Sequence, residues 1–302
     1  METQPTPPAT RRGTAGLDIF KIAGRSISGF LPSFKTGDHR CVRQPFTTQL
    51  EERLALYLEY HPHVRTYQRG DLSAAFAQAY HIVTPLGTPY RISYLYDEPS
   101  HDYLPDFVGT LCDGGLLIAE AGRGSEKRQG QPLAKAEAAR RLAHLKGGAY
   151  WLGTDENLSL RYHQNLLYLH ARRQSFHTYD EIAMTILAHW PYGDLRSVNE
   201  FLRLFGSRWS EGEVEAAMWK IAGDAAAVGR LLVDLTEVTL SRSTLLAWLD
   251  PNAPPILPDP LPSSLEETEE GHDTSLPQDH EGDEVALDGQ GVIPGPTFDA
   301  SV

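Results

Sequence analysis

The 302-residue chain has only two cysteines, Cys41 and Cys112, and three methionines. Two thiols so far apart offer neither a disulfide framework nor a cysteine-rich zinc site. No apolar run reaches the roughly 18 residues that a membrane-crossing helix needs. A secretory leader is also missing at the start: METQPTPPATRRG is polar, and LDIFKIAG is interrupted by Lys21. No GxxxxGK[ST] phosphate loop occurs, and Ser125 has no positioned His–Asp context, so neither ATPase nor serine-hydrolase chemistry is indicated. Secreted, membrane-spanning and zinc-finger classes are thereby excluded. The expectation is a soluble, cytoplasmic protein with no membrane partner.

Basic residues are absent from one end of the chain. Of the 40 acidic and 27 basic residues, twelve acidic and no basic ones lie in Pro251–Val302, which leaves 28 against 27 before it. The net charge of −13 therefore belongs almost entirely to the tail, and the body is close to neutral. The tail also carries nine of the 21 prolines. Its few apolar side chains cannot offset the entropy of ordering the backbone, so residues 251–302 read as a disordered acidic, Pro-rich tail. PTPPAT and RRGTAG give the same reading for residues 1–16.

What remains divides near residue 160. In QPFTTQLEERLALYLEYHP, Leu50, Leu54 and Leu58 mark a helical stripe. Thr47 or Thr48 can cap its start and Pro62 its end. Strand-like runs follow: AYHIVTP, YRISYLYD, YLPDFVGTL and LLIAEAG. The last two are separated by CDGG, a hairpin turn signal. LAKAEAARRLAHLKGG then reads as a helix stopped by Gly147–Gly148, and AYWLGT as a short buried strand. Helices on a mixed sheet make residues 17–159 an α/β layer domain. In residues 160–250, Thr178 with Glu181, Ser197 with Glu200 and Ser210 with Glu213 form three candidate capping boxes. The hairpin-like GRLLVDLTEVTL and a last helix in STLLAWL complete a winged-helix-like outline.

The segment YLPDF…LLIAEAG carries the chemistry. A hairpin there sets Asp106 on one strand and Glu120 on the next, near one end of the sheet. Glu51, on the long helix, can complete a set of three carboxylates. Hard divalent cations such as Mg²⁺ or Mn²⁺ take oxygen ligands of this type, and such a cation can activate water against a phosphodiester. Glu120 lies in an apolar strand, where an unpaired charge is costly.

These residues resemble the TnsA family, the endonuclease subunit of heteromeric transposases, over roughly residues 22–250. GRSISGFLPSFK matches the family's N-terminal motif through Gly24, Arg25, Ser26, Gly29, Pro32, Ser33 and Lys35. QLEERLALYLEYHPHV matches its helix, with Glu51 as the metal-binding position, and Pro105–Asp106–Phe107 matches its strand motif. The resemblance implies a restriction-endonuclease-like fold, with Mg²⁺ or Mn²⁺ held by catalytic Glu51, Asp106 and Glu120. It also implies cleavage at the 5′ ends of a transposon. The implied partners are transposon-end DNA, a DDE-type transposase (TnsB-like) and, through the C-terminal domain, an AAA+ regulator (TnsC-like). The family pattern on the second strand is Glu or Gln, any residue, then Lys; here it reads Glu120–Ala121–Gly122. The ammonium that would orient water and offset phosphate charge is gone. Arg123, Lys127 and Arg128 are nearby candidates to replace it, but arginine is a poor base, neighbouring strand residues face opposite ways, and GRGSEKRQGQ reads as a loop. A second reading is therefore a pseudo-nuclease, an adaptor that holds DNA ends and partners without cutting. A third, an unrelated defence or repair nuclease on the same fold, is argued against by GRSISGFLPSFK.

DNA contacts are expected from Arg25, Lys35, Arg40 and Arg43, and from Lys127, Arg128 and Lys135. The C-terminal half, with nine basic against eleven acidic residues over 160–250, is a poor groove reader. Glu211, Glu213 and Glu215 at the start of its third helix would repel phosphates, so this half is assigned to protein–protein contacts. His61 and His63 read as a helix-ending surface loop, and His101 with Asp102 as a candidate acid–base pair.

Overall fold

A computed structural model describes residues 20–21, 27–35, 42–70, 90–97, 99–123, 129–173 and 179–257. All of them fall within one compact unit, Met1–Glu266. The AYHIVTP segment, residues 1–16 and the tail beyond Leu257 lie outside the described residues.

The long helix α1 (Gln49–Tyr60) is the centre of the molecule. Thr48 is its N-cap, accepting the Glu51 N–H at 3.1 Å, and the helix stops before Pro62. Its burial exceeds a single stripe: Leu54, Leu56, Leu58 and Tyr60 are all at or below 1 % exposure. A helix buried beyond one stripe must be covered on more than one side, and its buried Glu51, Glu52 and Glu59 must find partners there. On one side it meets a four-stranded sheet, β4 (Val64–Arg69), β7 (Phe107–Leu111), β8 (Leu116–Ala121) and β9 (Ala149–Gly153), in the order β4-β7-β8-β9. On the other it meets the C-terminal helices α3 (Leu160–Arg173) and α6 (Glu211–Ala227).

The first three strands of this sheet are antiparallel. The β7–β8 hairpin closes through the expected Asp113–Gly114 turn, with Gly114 at φ +91° and the Leu111 N–H donating to Gly115 O at 2.8 Å. β9 runs parallel to β8, and helix α2 (Gly130–Leu145) supplies the crossover such a pair requires. The sheet therefore has two covered faces. Phe107, Leu117 and Ala119 join α1 in the main core, whereas Ile118 and Tyr150 pack with Ala136, Ala139 and Ala143 of α2.

YLPDFVGTL is not one strand. β6 (Ser100–Tyr103) pairs with β5 (Ile92–Leu95), and β7 begins only at Phe107. Pro105 has no N–H for a ladder bond and marks the break. Upstream, β1 (Phe20–Lys21), β2 (Ile27–Ser33) and β3 (Val42–Phe46) form a separate antiparallel sheet.

In the helical half, α5 (Val198–Phe205) and α6 open with the Ser197–Glu200 and Ser210–Glu213 capping boxes anticipated from the sequence. Helix α4 (Asp180–Ala188) starts differently: Tyr179 is its N-cap without a side-chain bond, and Thr178 lies outside the described residues. Two expectations fail beyond α6. STLLAWL is not helical; it holds β11 (Ala247–Trp248), which pairs with β10 (Leu231–Leu232). GRLLVDLTEVTL does not fold back on itself, because the Asp234 carboxylate accepts the Thr236 N–H at 2.9 Å and turns the chain after Val233. Burial decides both points: Leu246 and Ala247 are fully buried, and the Trp248 indole N–H donates to Trp190 O at 2.8 Å.

The first residues counted with the tail are held on the body. Arg230 donates to Asp250 O at 2.8 Å and to Pro251 O at 2.6 Å, and the Ile256 N–H donates to Gly229 O at 2.7 Å. Among the described residues no helix is long and apolar enough to cross a membrane.

Candidate active site at the end of the hairpin

The register of the central sheet places the candidate carboxylates. Arg69, Phe107 and Ala119 stand side by side on β4, β7 and β8. One residue further along, the Gly70 N–H donates to Asp106 O at 3.1 Å, so the next row holds Gly70, Asp106 and Glu120. The Asp106 carboxylate reaches across and accepts the Ala121 N–H at 2.8 Å, which fixes it at the tip of β8. The β7–β8 hairpin thus brings Asp106 and Glu120 together as the sequence implied.

Glu51 arrives by another route. Since Phe107 and Ala119 face α1, strand alternation turns Glu120 toward α2, where Ile118 also points. Glu51, on α1, approaches from the opposite face and is held there. Its Oε2 accepts the Thr47 N–H at 2.6 Å, its Oε1 accepts the Thr47 hydroxyl at 2.8 Å, and the Arg69 guanidinium forms an ion pair with it. Among the described residues no group of three or more His, Cys, Asp or Glu side chains is gathered closely enough to hold a metal ion. The donor chemistry, all carboxylate oxygen, suits a hard divalent cation. The three carboxylates do not fit one as they stand: Glu51 is engaged by Arg69 and Thr47, Asp106 by the Ala121 N–H, and Glu120 is turned to the other face of the sheet.

Burial raises the Asp106 carboxyl from 3.8 to about 6; Glu51 and Glu120 push in the same direction, and the Ala121 N–H and Arg69 oppose them. Glu120 is 4 % exposed and lies close to Tyr103 and Tyr150, whose hydroxyls are pushed up by burial and then by its carboxylate. The Tyr103 hydroxyl donates to Lys135 O at 3.1 Å.

A stability consequence follows. An Asp with a raised folded pKa keeps its proton longer in the folded than in the unfolded chain, so stability falls as pH rises from about 4 to about 6. Above that window the charged carboxylate costs a constant amount, about 1–3 kcal/mol for a rise of this size. Asp106→Asn retains an acceptor for the Ala121 N–H and carries no charge. Urea unfolding should show it more stable than the wild type by that amount near pH 7.5, with the difference gone near pH 4.

The basic residues assigned to DNA are distributed unevenly. Arg25, Arg40, Lys127 and Arg128 lie outside the described residues. Arg43 is exposed on β3. Lys135 is on α2, its ammonium over the rings of Tyr94 and Tyr103 at 5.8 and 5.6 Å, on the side of the sheet that Glu120 faces. Lys35 is turned inward: its ammonium donates to His61 O, and burial lowers it to about 8 despite the nearby Glu59 carboxylate. Gly122 continues the β8–β9 ladder, its N–H donating to Gly153 O at 3.0 Å.

Two histidine readings change. His61 is not in an open surface loop; it is 5 % exposed against Trp151, with ring centroids 4.8 Å apart, and burial lowers it to about 3. His101 stacks on Tyr94, while Asp102 accepts the Ser93 hydroxyl at 2.7 Å, so these two are not arranged as an acid–base pair. Arg69 was not anticipated. Its signal was a cation ending a strand just after buried Tyr67 and Gln68, where a buried counter-charge is required.

No protein-family model matches the chain, and no curated protein matches it.

Proposed function

We propose that the chain is a TnsA-like subunit of a transposition machine acting at transposon DNA ends, built on a restriction-endonuclease-like fold with a winged-helix-like C-terminal half. The observation that carries this reading is the pairing of Asp106 with Glu120 across the β7–β8 hairpin, within a helix, three antiparallel strands, a crossover helix and a parallel strand. In this reading Glu51, Asp106 and Glu120 would have to converge to hold Mg²⁺ or Mn²⁺, which would supply an activated water and offset charge on the phosphodiester. Asp106 is oriented by the Ala121 N–H. Lys135 and Arg43 offer cations to the DNA backbone. The C-terminal half contacts protein: an apolar groove of about 660 Å³ lined by Met184, Leu187, Ile221, Val228 and Trp248 suits an AAA+ regulator better than DNA.

A second reading, the non-cutting adaptor between end DNA, a DDE-type transposase and the regulator, is favoured by Gly122 and by the engagement of Glu51 with Arg69. The two separate when the purified chain, with its transposase partner, is offered transposon-end DNA in Mg²⁺ or Mn²⁺. Partner-dependent 5′ nicking that disappears in Asp106→Ala establishes the nuclease. Assembly on the ends without nicking establishes the adaptor, and failure to assemble on end DNA overturns both.

A further inference from the structure

We propose that the groove beside Gly229 is a docking site for an extended, proline-flanked aliphatic segment of another protein. Residues 250–257 are a strap seated there as its intramolecular competitor. This goes beyond the reading above and needs neither the hairpin carboxylates nor DNA. The strap reads Asp-Pro-Asn-Ala-Pro-Pro-Ile-Leu. Each proline lacks an N–H and fixes its φ, so such a stretch is gripped mainly through its carbonyls. The body grips it in that way. The Arg230 guanidinium donates to Asp250 O at 2.8 Å, to Pro251 O at 2.6 Å and to Ala253 O. Beyond Pro254 and Pro255, the Ile256 N–H donates to Gly229 O at 2.7 Å. Gly229 has φ +66°, and a Cβ there would stand 2.6 Å from Ile256 O and 2.9 Å from Pro255 Cβ. The strap therefore lies on bare backbone, a close approach that glycine permits.

Aromatic walls with donors aimed at carbonyls are what a proline-rich segment docks against. Tyr60 and Tyr162 line the cavity next to the strap, together with Ala226, Leu231 and Leu235. The strap does not fill it. Ile256 and Leu257 stay 39 and 46 % exposed, and about 440 Å³ remains open beside them. A segment that also fills this volume buries more apolar surface than the strap does, and its prolines keep the ordering cost low. The strap holds its place by being tethered, which gives it a high local concentration, rather than by fit. Its own chemistry specifies the partner: an aliphatic stretch between prolines, presenting its carbonyls to Arg230.

The test is fluorescence anisotropy of a labelled peptide, DPNAPPILP, titrated with the full chain. In the wild type the tethered strap competes with it. In full-length Ile256→Asp/Leu257→Asp, changed at two partly exposed positions, the strap no longer suits the groove. That variant should bind the peptide at least on the order of tenfold more tightly than the wild type. A peptide carrying the same two Asp changes should bind neither form. Adding Arg230→Met to the strap variant should weaken peptide binding on the order of tenfold, through lost hydrogen bonds from a charged donor. Amide exchange gives a second readout: in Arg230→Met alone, the Ile256 N–H should exchange on the order of tenfold or more faster, with core amides unchanged. Equal peptide affinity in the wild type and the strap variant, or binding by neither, overturns the docking site. An unchanged Ile256 exchange rate in Arg230→Met overturns the strap's attachment through that residue. Concentration-dependent wild-type dimers that vanish in the strap variant would instead give the groove to the strap of a second copy, against a foreign partner.

Discussion

Glu59→Ala is expected to cost about 3–5 kcal/mol of folding stability, the range for breaking a buried ion pair by removing one partner. A whole domain of this kind is stable by only about 5–15 kcal/mol. Glu59 is fully buried near the end of α1 and collects three elements at one carboxylate. It accepts the Ser33 hydroxyl at 2.8 Å and the Phe34 N–H at 3.1 Å from the end of β2, and Arg173 of α3 at 3.3 Å. Arg173 in turn pairs with Asp224 of α6 at 3.1 Å and lies over the rings of Phe34 and Tyr60 at 4.7 and 5.4 Å. Removing the carboxylate leaves a buried hydroxyl, a backbone N–H and the Arg173 Nη1 group without their acceptor. Glu59→Gln keeps an acceptor for the two neutral donors and loses only the charge, so its cost should be smaller, about 1–3 kcal/mol. Urea unfolding followed by tryptophan fluorescence checks both, and near-wild-type stability in Glu59→Ala would show that the network is not holding the N-terminal sheet to the helices.

The same network shows which features were legible in the sequence. Ser33 and Lys35 were marked by a motif and assigned, in the case of Lys35, to DNA; in the fold Ser33 bonds Glu59 and Lys35 bonds His61 O, and both tie β2 to the end of α1. A motif identifies positions whose residue type matters but does not distinguish a surface contact from a buried anchor. The α1 start, the β7–β8 turn and the Ser197 and Ser210 caps were readable because each is decided within a few residues by local hydrogen bonding. The register of β7 on β8 was readable for the same reason, since a short turn fixes hairpin register.

What depended on distant packing was not readable. STLLAWL has helix-like composition, yet Leu246 and Ala247 are buried beside Trp190 and a strand pairing wins. His61 borders a helix end, yet Trp151, ninety residues away in the chain, covers it. The relation of Glu51 to the other two carboxylates belongs to this class too. Three acidic residues in sequence carry no information about which face of a sheet each approaches, and here the alternation of β8 separates Glu120 from the α1 side.

That alternation makes Gly122→Lys the substitution with the largest expected effect on activity. Gly122 follows the last residue of β8 and continues its ladder, so by strand alternation a lysine at 122 falls on the side of Glu120 and Arg123 on the other. The backbone there already has the needed geometry, because the Gly122 N–H continues the ladder to Gly153 and does not depend on the side chain. Gly122 is also partly open to solvent. A positioned proton-transfer or charge-stabilising group of this kind is worth about 10²–10⁴ in rate. On the proposed function, Gly122→Lys should raise Mn²⁺-dependent nicking of transposon-end DNA by about two orders of magnitude or more over the wild type, in the presence of the transposase partner. The gain should vanish in the double variant with Asp106→Ala, which ties it to the hairpin carboxylates. Gly122→Arg provides the control for charge alone: a guanidinium offsets phosphate charge but is a poor base, so it should recover less than lysine. Equal nicking by the wild type and Gly122→Lys, with both forms assembling on end DNA, would mean that the hairpin carboxylates no longer constitute a nuclease site and that the chain acts by holding the ends.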